Sequence, residues 1–381
     1  MRSEKRSSWR GSSHVAGAIA AWVEREILHL DPAGFALVMA TGIVSNGFFL
    51  QGYRRVSDVL LLIGLVACAW LWLLTALRIG WFRGALWRDL VGPQRVFAFF
   101  TIVAATDVLG VALVQRGFTT IALAMWLAAF AIWLALIYLG FGIFAFRNAA
   151  GGASVLSGAW LNGIVGTQSL VILGAQIALP AANAGSAAVL AIHVFWALGI
   201  SLYGILVVLL SYRLFFFGVE PSDVGPWLWV IMGAAAISAN AGSNLITVVD
   251  SGHDMRFLNA MLPFVDGVTF VMWAWATWWM PLLILLGIWK HGLRRAPLSY
   301  SPMLWSMVFP LGMYSVASLR LSRGADVPIL LSWSGIIVWI ALGAWSATFA
   351  GLAVSTWRSA QTFIDERQRS DNTPVVAAAR Q

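Results

Sequence analysis

The sequence predicts an all-α integral membrane protein of ten transmembrane helices, laid out as five helical hairpins with the odd-numbered helices inside, around a central pore. Three observations predict it. Of the 381 residues 60% are hydrophobic and only 10% charged, against roughly 45–50% and about 25% in soluble domains. Ten apolar stretches lack Lys and Arg, and each is near the roughly 20 residues that carry a helix across a bilayer. Amides and tryptophans are shared unequally between alternate stretches. The same figures exclude a soluble globule, a coiled coil, a disordered chain and a disulfide scaffold.

Residues 1–13 are basic and polar. In the stretch from Val15 to Leu30, Ile19, Trp22, Val23 and Leu30 fall on one side and Glu24, Arg25 and Glu26 on the other. This reads as an amphipathic helix on the cytoplasmic membrane surface, ended by Asp31-Pro32, and is too short and mixed for a signal-peptide core. Residues 1–32 therefore form a cytoplasmic N-terminal segment. The spans follow at 33–50, 57–77, 96–114, 119–146, 155–180, 185–212, 225–248, 258–289, 301–319 and 327–356, together the transmembrane domain 33–356. Residues 357–381 form a cytoplasmic tail. The first members of successive pairs begin near 33, 96, 155, 225 and 301, a spacing that suggests a diverged hairpin repeat. Every loop is short, so no soluble catalytic domain fits between spans.

An even number of spans puts both termini on one side. With that side cytoplasmic, 18 Lys+Arg lie inside and 6 outside, as the positive-inside rule requires of a multi-pass protein of the plasma (inner) membrane. The net charge of +8 therefore reports orientation, and no nucleic-acid partner is implied. The single cysteine, Cys68, forms no intramolecular disulfide. His14, His29, His193, His253 and His291 are scattered without metal-ligand spacing, and no nucleophile elbow or phosphate loop occurs. No enzyme, cofactor or metal site is expected.

Asn46, Asp107, Asn162, Gln168, Gln176, Asn240 and Asn244 all fall in odd spans, while the middles of the even spans hold no Asn or Gln. Unsatisfied polar groups are costly in hydrocarbon, so these side chains should turn toward a bundle interior or a water-filled cavity. Tryptophan runs the other way, with 13 in even spans and 4 in odd ones, as an outer ring in contact with lipid would have it. Each odd span also carries a backbone softener near its middle: Gly42, Gly110, Gly163 with Gly166, Gly233 with Gly242, and Pro310 with Gly312. Helices bent at similar depth suggest a lumen; close packing through small residues explains the same glycines without one.

Five stretches carry a family resemblance: FALVMATGIVSNGF (35–48), FFTIVAATDVLG (99–110), GAWLNGIVGTQSL (158–170), PSDVGPWLWVIMGAAAISANAGSNL (221–245) and YSPMLWSMVFPLGMYSVAS (300–318). Together they resemble the tellurite-resistance/C4-dicarboxylate transporter family, which includes plant slow anion channels, yeast malate permeases and sulfite exporters. The resemblance implies odd helices around a pore, a homotrimer with one pore per subunit, and a ninth-helix gate at Phe309 followed by Pro310. An aromatic ring projecting into a narrow lumen can block or dewet it. The alternative role for Phe309 is a core ring packed on Pro310.

Lining the path are Thr41, Gly42, Ser45, Asn46, Asp107, Gly110, Asn162, Gly166, Gln168, Asn240, Ser243, Asn244 and Gly312, with Thr167 and Ser169 as further hydroxyl donors. None of the ten stretches contains Lys or Arg, so an anion is expected to meet no fixed cation within the membrane. It is drawn instead by helix dipoles and by Arg54, Arg55, Arg83, Arg88, Arg294 and Arg295 at the mouths. Weak binding of this kind suits a channel or uniporter for small inorganic or organic anions. Asp107 is the one carboxylate well inside an inner span. Either it is held by a hydrogen bond to a neighbouring helix, or it carries a proton in symport of malate, succinate or sulfite.

Overall fold

The computed structural model describes residues 19–93, 95–147, 158–178, 186–216, 221, 224–250, 256–297, 299–324 and 326–372. Ten of its helices are long and apolar enough to cross a membrane, and no strand occurs among the described residues. They are α1 (Ala36–Leu50), α2 (Arg54–Trp81), α3 (Phe100–Val114), α4 (Thr119–Arg147), α5 (Leu161–Ala178), α6 (Ser186–Phe216), α7 (Trp229–Asp250), α8 (Arg256–Ile288), α9 (Trp305–Gly324) and α10 (Pro328–Asn372). The last runs well past residue 356 as one unbroken helix.

Alternate helices differ in depth. In the apolar 18-residue core of each span, 72% to 89% of the residues are buried in the odd helices, against 22% to 33% in the even ones. The odd helices touch in the closed cycle α1–α3–α5–α7–α9–α1. Each even helix leans on the odd helix before it and on the next one around: α2 on α1 and α3, α4 on α3 and α5, α6 on α5 and α7, α8 on α7 and α9, α10 on α9 and α1. Five helices thus form a ring and five fill its outer grooves.

Glycines set how closely the ring closes. A Cβ on Gly42 would meet Val108 Cγ1 at 2.8 Å, one on Gly110 Leu173 Cδ2 at 2.5 Å, one on Gly166 Phe100 Cδ1 at 3.0 Å, one on Gly233 Pro310 Cγ at 2.8 Å and one on Gly312 Ile43 Cγ2 at 2.9 Å. These contacts join α1–α3, α3–α5, α5–α3, α7–α9 and α9–α1, so the softeners sit at helix–helix contacts. The odd helices stay continuous through them, Pro310 included. Small-residue packing, the force that associates helices where lipid offers no hydrophobic drive, therefore accounts for the pattern without a lumen.

Every inner span begins with a 3-10 turn: Pro32–Phe35, Val96–Phe99, Gly158–Trp160, Pro226–Leu228 and Pro302–Leu304. Proline opens three of them, where its missing N–H would be unpaired anyway. Asp31 caps the first by accepting from the Ala33 N–H at 2.9 Å, and Ser301 caps the last by accepting from Met303 at 3.3 Å. The five turns touch one another in the same cyclic order as the helices.

Outside the ring, residues 19–28 form a helix with Ile27 fully buried. Trp22 Nε1 donates to Ser359 Oγ at 3.3 Å and Arg25 lies 5.8 Å above the Phe363 ring, so this helix packs against the C-terminal part of α10.

Candidate functional site in the helical ring

On the axis of the ring lies a cavity of ≈ 20 Å³, room for about one water. Every wall comes from an odd span or its last turn: Ile43, Asn46 and Leu50 from α1; Asp107, Val108, Val111 and Gln115 from α3; Ser169 and Ile172 from α5; Asn240 from α7; Met313, Val316 and Arg320 from α9. In α1, α5 and α9 these positions recur at three- and four-residue intervals, as do Asp107, Val111 and Gln115 of the third span, the spacing of one helix face.

Its polar groups are only partly satisfied. Asp107 Oδ2 accepts from Ser169 Oγ at 2.7 Å, while Oδ1 is buried without a partner. Asn46 Nδ2 donates to the Val108 carbonyl at 3.0 Å and its Oδ1 has no donor. Asn240 Nδ2 reaches only Met313 Sδ at 3.4 Å, a weak acceptor. Both polar side-chain atoms of Gln115 and Nε of Arg320 are likewise buried and unpartnered. Each such group costs about 1–3 kcal/mol in a dry interior, so their convergence on one axis marks a surface that meets water or a polar solute.

Not all expected residues face this axis. Asn46, Asp107 and Asn240 line it, and Ser169 joins them. Asn244 stands behind Asn240: its Nδ2 donates to the Asn240 carbonyl at 2.7 Å and its Oδ1 accepts from Gln176 Nε2 at 2.7 Å, tying α5 to α7. Ser243 lines a wider vestibule beside the cavity. Thr41 and Ser45 turn away from the cavity. Thr41 Oγ1 donates to the Leu37 carbonyl at 2.7 Å and accepts from Trp345 Nε1 of α10 at 2.9 Å, and Ser45 Oγ donates to the Ser57 carbonyl of α2 at 2.7 Å. Gln168 also faces outward, donating to the Trp196 carbonyl of α6 at 3.2 Å against Gly199. Short polar side chains can bond locally or to an outer helix, so an inner position did not require an axial one. Asn162 is buried at the start of α5 away from the cavity, and Gly42, Gly110, Gly166 and Gly312 are packing residues.

Phe309 is buried, 1% exposed, one turn before Met313 on the α9 stripe Phe309–Met313–Val316–Arg320, a spacing of 4, 3 and 4. Pro310 packs against Gly233 of α7.

Arg320 is a cation that the sequence-defined end of the ninth span, residue 319, left outside the path. The ninth helix continues to Gly324, so Arg320 lies inside it and lines both the cavity and the vestibule. The apolar-stretch criterion ended this span at 319 because the arginine itself terminated the stretch. The 4-3-4 stripe from Phe309, and the spacing Asp107–Val111–Gln115, were the signals for Arg320 and Gln115. The vestibule, ≈ 870 Å³, is bounded by α7, α8 and α9 and includes Ser243, Thr247, Asp266 and Arg323. No group of metal-ligating side chains occurs among the described residues.

The tryptophans of the even helices also do more than face lipid. Trp126 and Trp133 of α4 donate to the Leu170 carbonyl and Thr167 Oγ1 at 2.9 and 2.8 Å; Trp196 of α6 to the Ser238 carbonyl at 3.2 Å; Trp273 of α8 to Ser318 Oγ at 2.9 Å. Their N–H groups fasten the outer helices to the ring, whereas Trp70, Trp278 and Trp339 are exposed.

A ring of buried helices about an axial cavity that mixes apolar walls with buried polar groups, jacketed by apolar helices, defines a multi-pass membrane protein of the transporter class. The model of the family described as voltage-dependent anion channel matches residues 29–353, and the chain belongs to that family, within the tellurite-resistance/C4-dicarboxylate transporters. Among relatives, two uncharacterized membrane proteins of Mycobacterium tuberculosis, from strains CDC 1551 / Oshkosh and H37Rv, are each 40% identical over 140 residues, 37% of this chain and 69% of theirs. An uncharacterized transporter of Methanocaldococcus jannaschii is 23% identical over 336 residues, 84% of this chain and 92% of its own.

Proposed function

We propose that the protein passes small inorganic or organic anions through its helical ring as a channel or uniporter, with Phe309 as the gate. The observation that carries this reading is the axial cavity, where buried, unpartnered polar atoms of α1, α3 and α9 converge. In support, Phe309 is buried and stands on the α9 stripe one turn before the cavity-lining Met313, between the cavity and the start of α9. Family membership supports anions as the solute class. The test is flux from purified protein in liposomes with chloride, nitrate, sulfite and malate. Phe309→Ala is expected to raise flux severalfold; unchanged flux in a well-folded variant would contradict the gate.

One observation favours a second reading, proton-coupled uptake of C4-dicarboxylate or sulfite. Asp107 presents a free carboxylate oxygen to the cavity, where a proton would remove the charge that repels an anion. That reading requires an imposed pH gradient to drive uptake and Asp107→Asn to abolish the drive.

The working protein is proposed to be a homotrimer in the plasma membrane with both termini cytoplasmic. The distribution of Lys and Arg supports the orientation, and the contact of the 19–28 helix with α10 is consistent with it; the trimer rests on the family resemblance.

A further inference from the structure

We propose that Arg320 is an anion-binding residue at the cavity mouth and that its guanidinium selects oxyanions over chloride. The inference rests on the transport reading and adds to it a ligand class. Arg320 is shared by the ≈ 20 Å³ cavity and the ≈ 870 Å³ vestibule, so a solute moving between them passes it.

Three other arginines have carboxylate partners. Arg78 and Arg95 each lie 2.7 Å from Asp89, and Arg116 lies 2.6 Å from Asp58. Arg320 has no carboxylate at ion-pair distance among the described residues, and its buried Nε has no hydrogen-bond partner. Arg323, one turn on, lines the same vestibule and donates to the Leu50 carbonyl at 3.0 Å. Two guanidinium groups thus share this mouth. The carboxylates facing it are Asp266 from α8 in the vestibule and Asp107 at the cavity, and Asp107 is held by Ser169.

A partly desolvated guanidinium without an acceptor is costly inside a membrane. A permeating anion supplies the missing acceptor. The Nε–Nη edge presents two parallel N–H donors, which match two oxygens of a carboxylate, nitrate or sulfite; chloride engages the same edge with a single acceptor and lysine offers no fork.

The probes are sodium nitrate and sodium chloride at equal ionic strength, applied to the full-length protein and to Arg320→Gln and Arg320→Lys variants that elute as single species in detergent. Thermal unfolding reads binding, and liposome flux reads passage. Nitrate is expected to raise the wild-type melting temperature more than chloride does and to permeate faster. Arg320→Gln should lose the nitrate-specific shift and weaken apparent nitrate affinity about tenfold or more, the scale of a charge-assisted hydrogen bond. Arg320→Lys, which keeps the charge but not the fork, should lose the preference for nitrate over chloride. A wild-type protein without nitrate preference in either measurement, or an Arg320→Gln variant that keeps it, would overturn the site and leave transport standing. An intact nitrate shift without flux would support the site and contradict the transport reading.

Discussion

Asp107 concentrates the chemistry of the cavity in one carboxyl group: one oxygen is held by Ser169 and the other is free. Asp107→Asn preserves an acceptor for Ser169 and removes the ionisable group. In a proton-coupled carrier, uptake under an acid-outside gradient falls to the gradient-independent rate; in a uniporter, anion flux is kept or rises because a negative charge has left the path. Flux measured at matched and opposed pH separates the two. The importance of Asp107 was legible in the sequence, since a carboxylate within an apolar span is expensive by default. Its partner was not, because Ser169 lies 62 positions further along the chain, beyond the whole of α4. For Thr41, Ser45 and Gln168, residue type identified an inner helix correctly without fixing the side it faces. A hydroxyl satisfied by a carbonyl one turn back, as Thr41 is by Leu37, can face any neighbour.

At the scale of the helix, burial by alternation was readable from amides and tryptophans, but the glycines admitted two readings and the geometry chose packing. Gly312 is the sharpest case, since a side chain there would press on Ile43, Val44 Cγ2 at 3.2 Å and the Val44 backbone nitrogen at 3.5 Å. Gly312→Val is expected to lower stability by about 1–3 kcal/mol through overpacking, read as a drop in melting temperature in detergent. Gly267→Val, with no neighbouring atom within 4 Å, should shift it far less. The tryptophan fasteners predict a smaller effect: Trp133→Phe breaks a 2.8 Å bond to Thr167 and should cost about 0.5–1.5 kcal/mol, with flux retained. The sequence marked the tryptophans as outer residues; which of them turn inward depends on where Thr167, Ser238 and Ser318 fall on neighbouring helices, and spacing along one helix carries no such information.

Across the whole molecule, a five-fold order recurs at three levels: in the 3-10 turns, in the cycle of odd helices and in the even helices seated between them. Sequence spacing hinted at the repeat, while residue identity gave no trace of the contact ring made by the turns. The ring places the buried polar groups of its axis inside a jacket whose outer surface carries exposed Leu62, Trp70, Val208 and Trp278, so the proposed path and the apolar exterior are separate surfaces. The most direct measurement of that separation uses the lone Cys68. In a Cys68→Ser background with Phe309→Ala, single cysteines are placed at Val316 in the cavity wall and at Leu62 on the jacket, treated with a charged, membrane-impermeant thiol reagent, and flux is followed. The account predicts rapid labelling and block at position 316, with neither at position 62. Block through position 62, or free flux with position 316 labelled, would contradict passage through the ring.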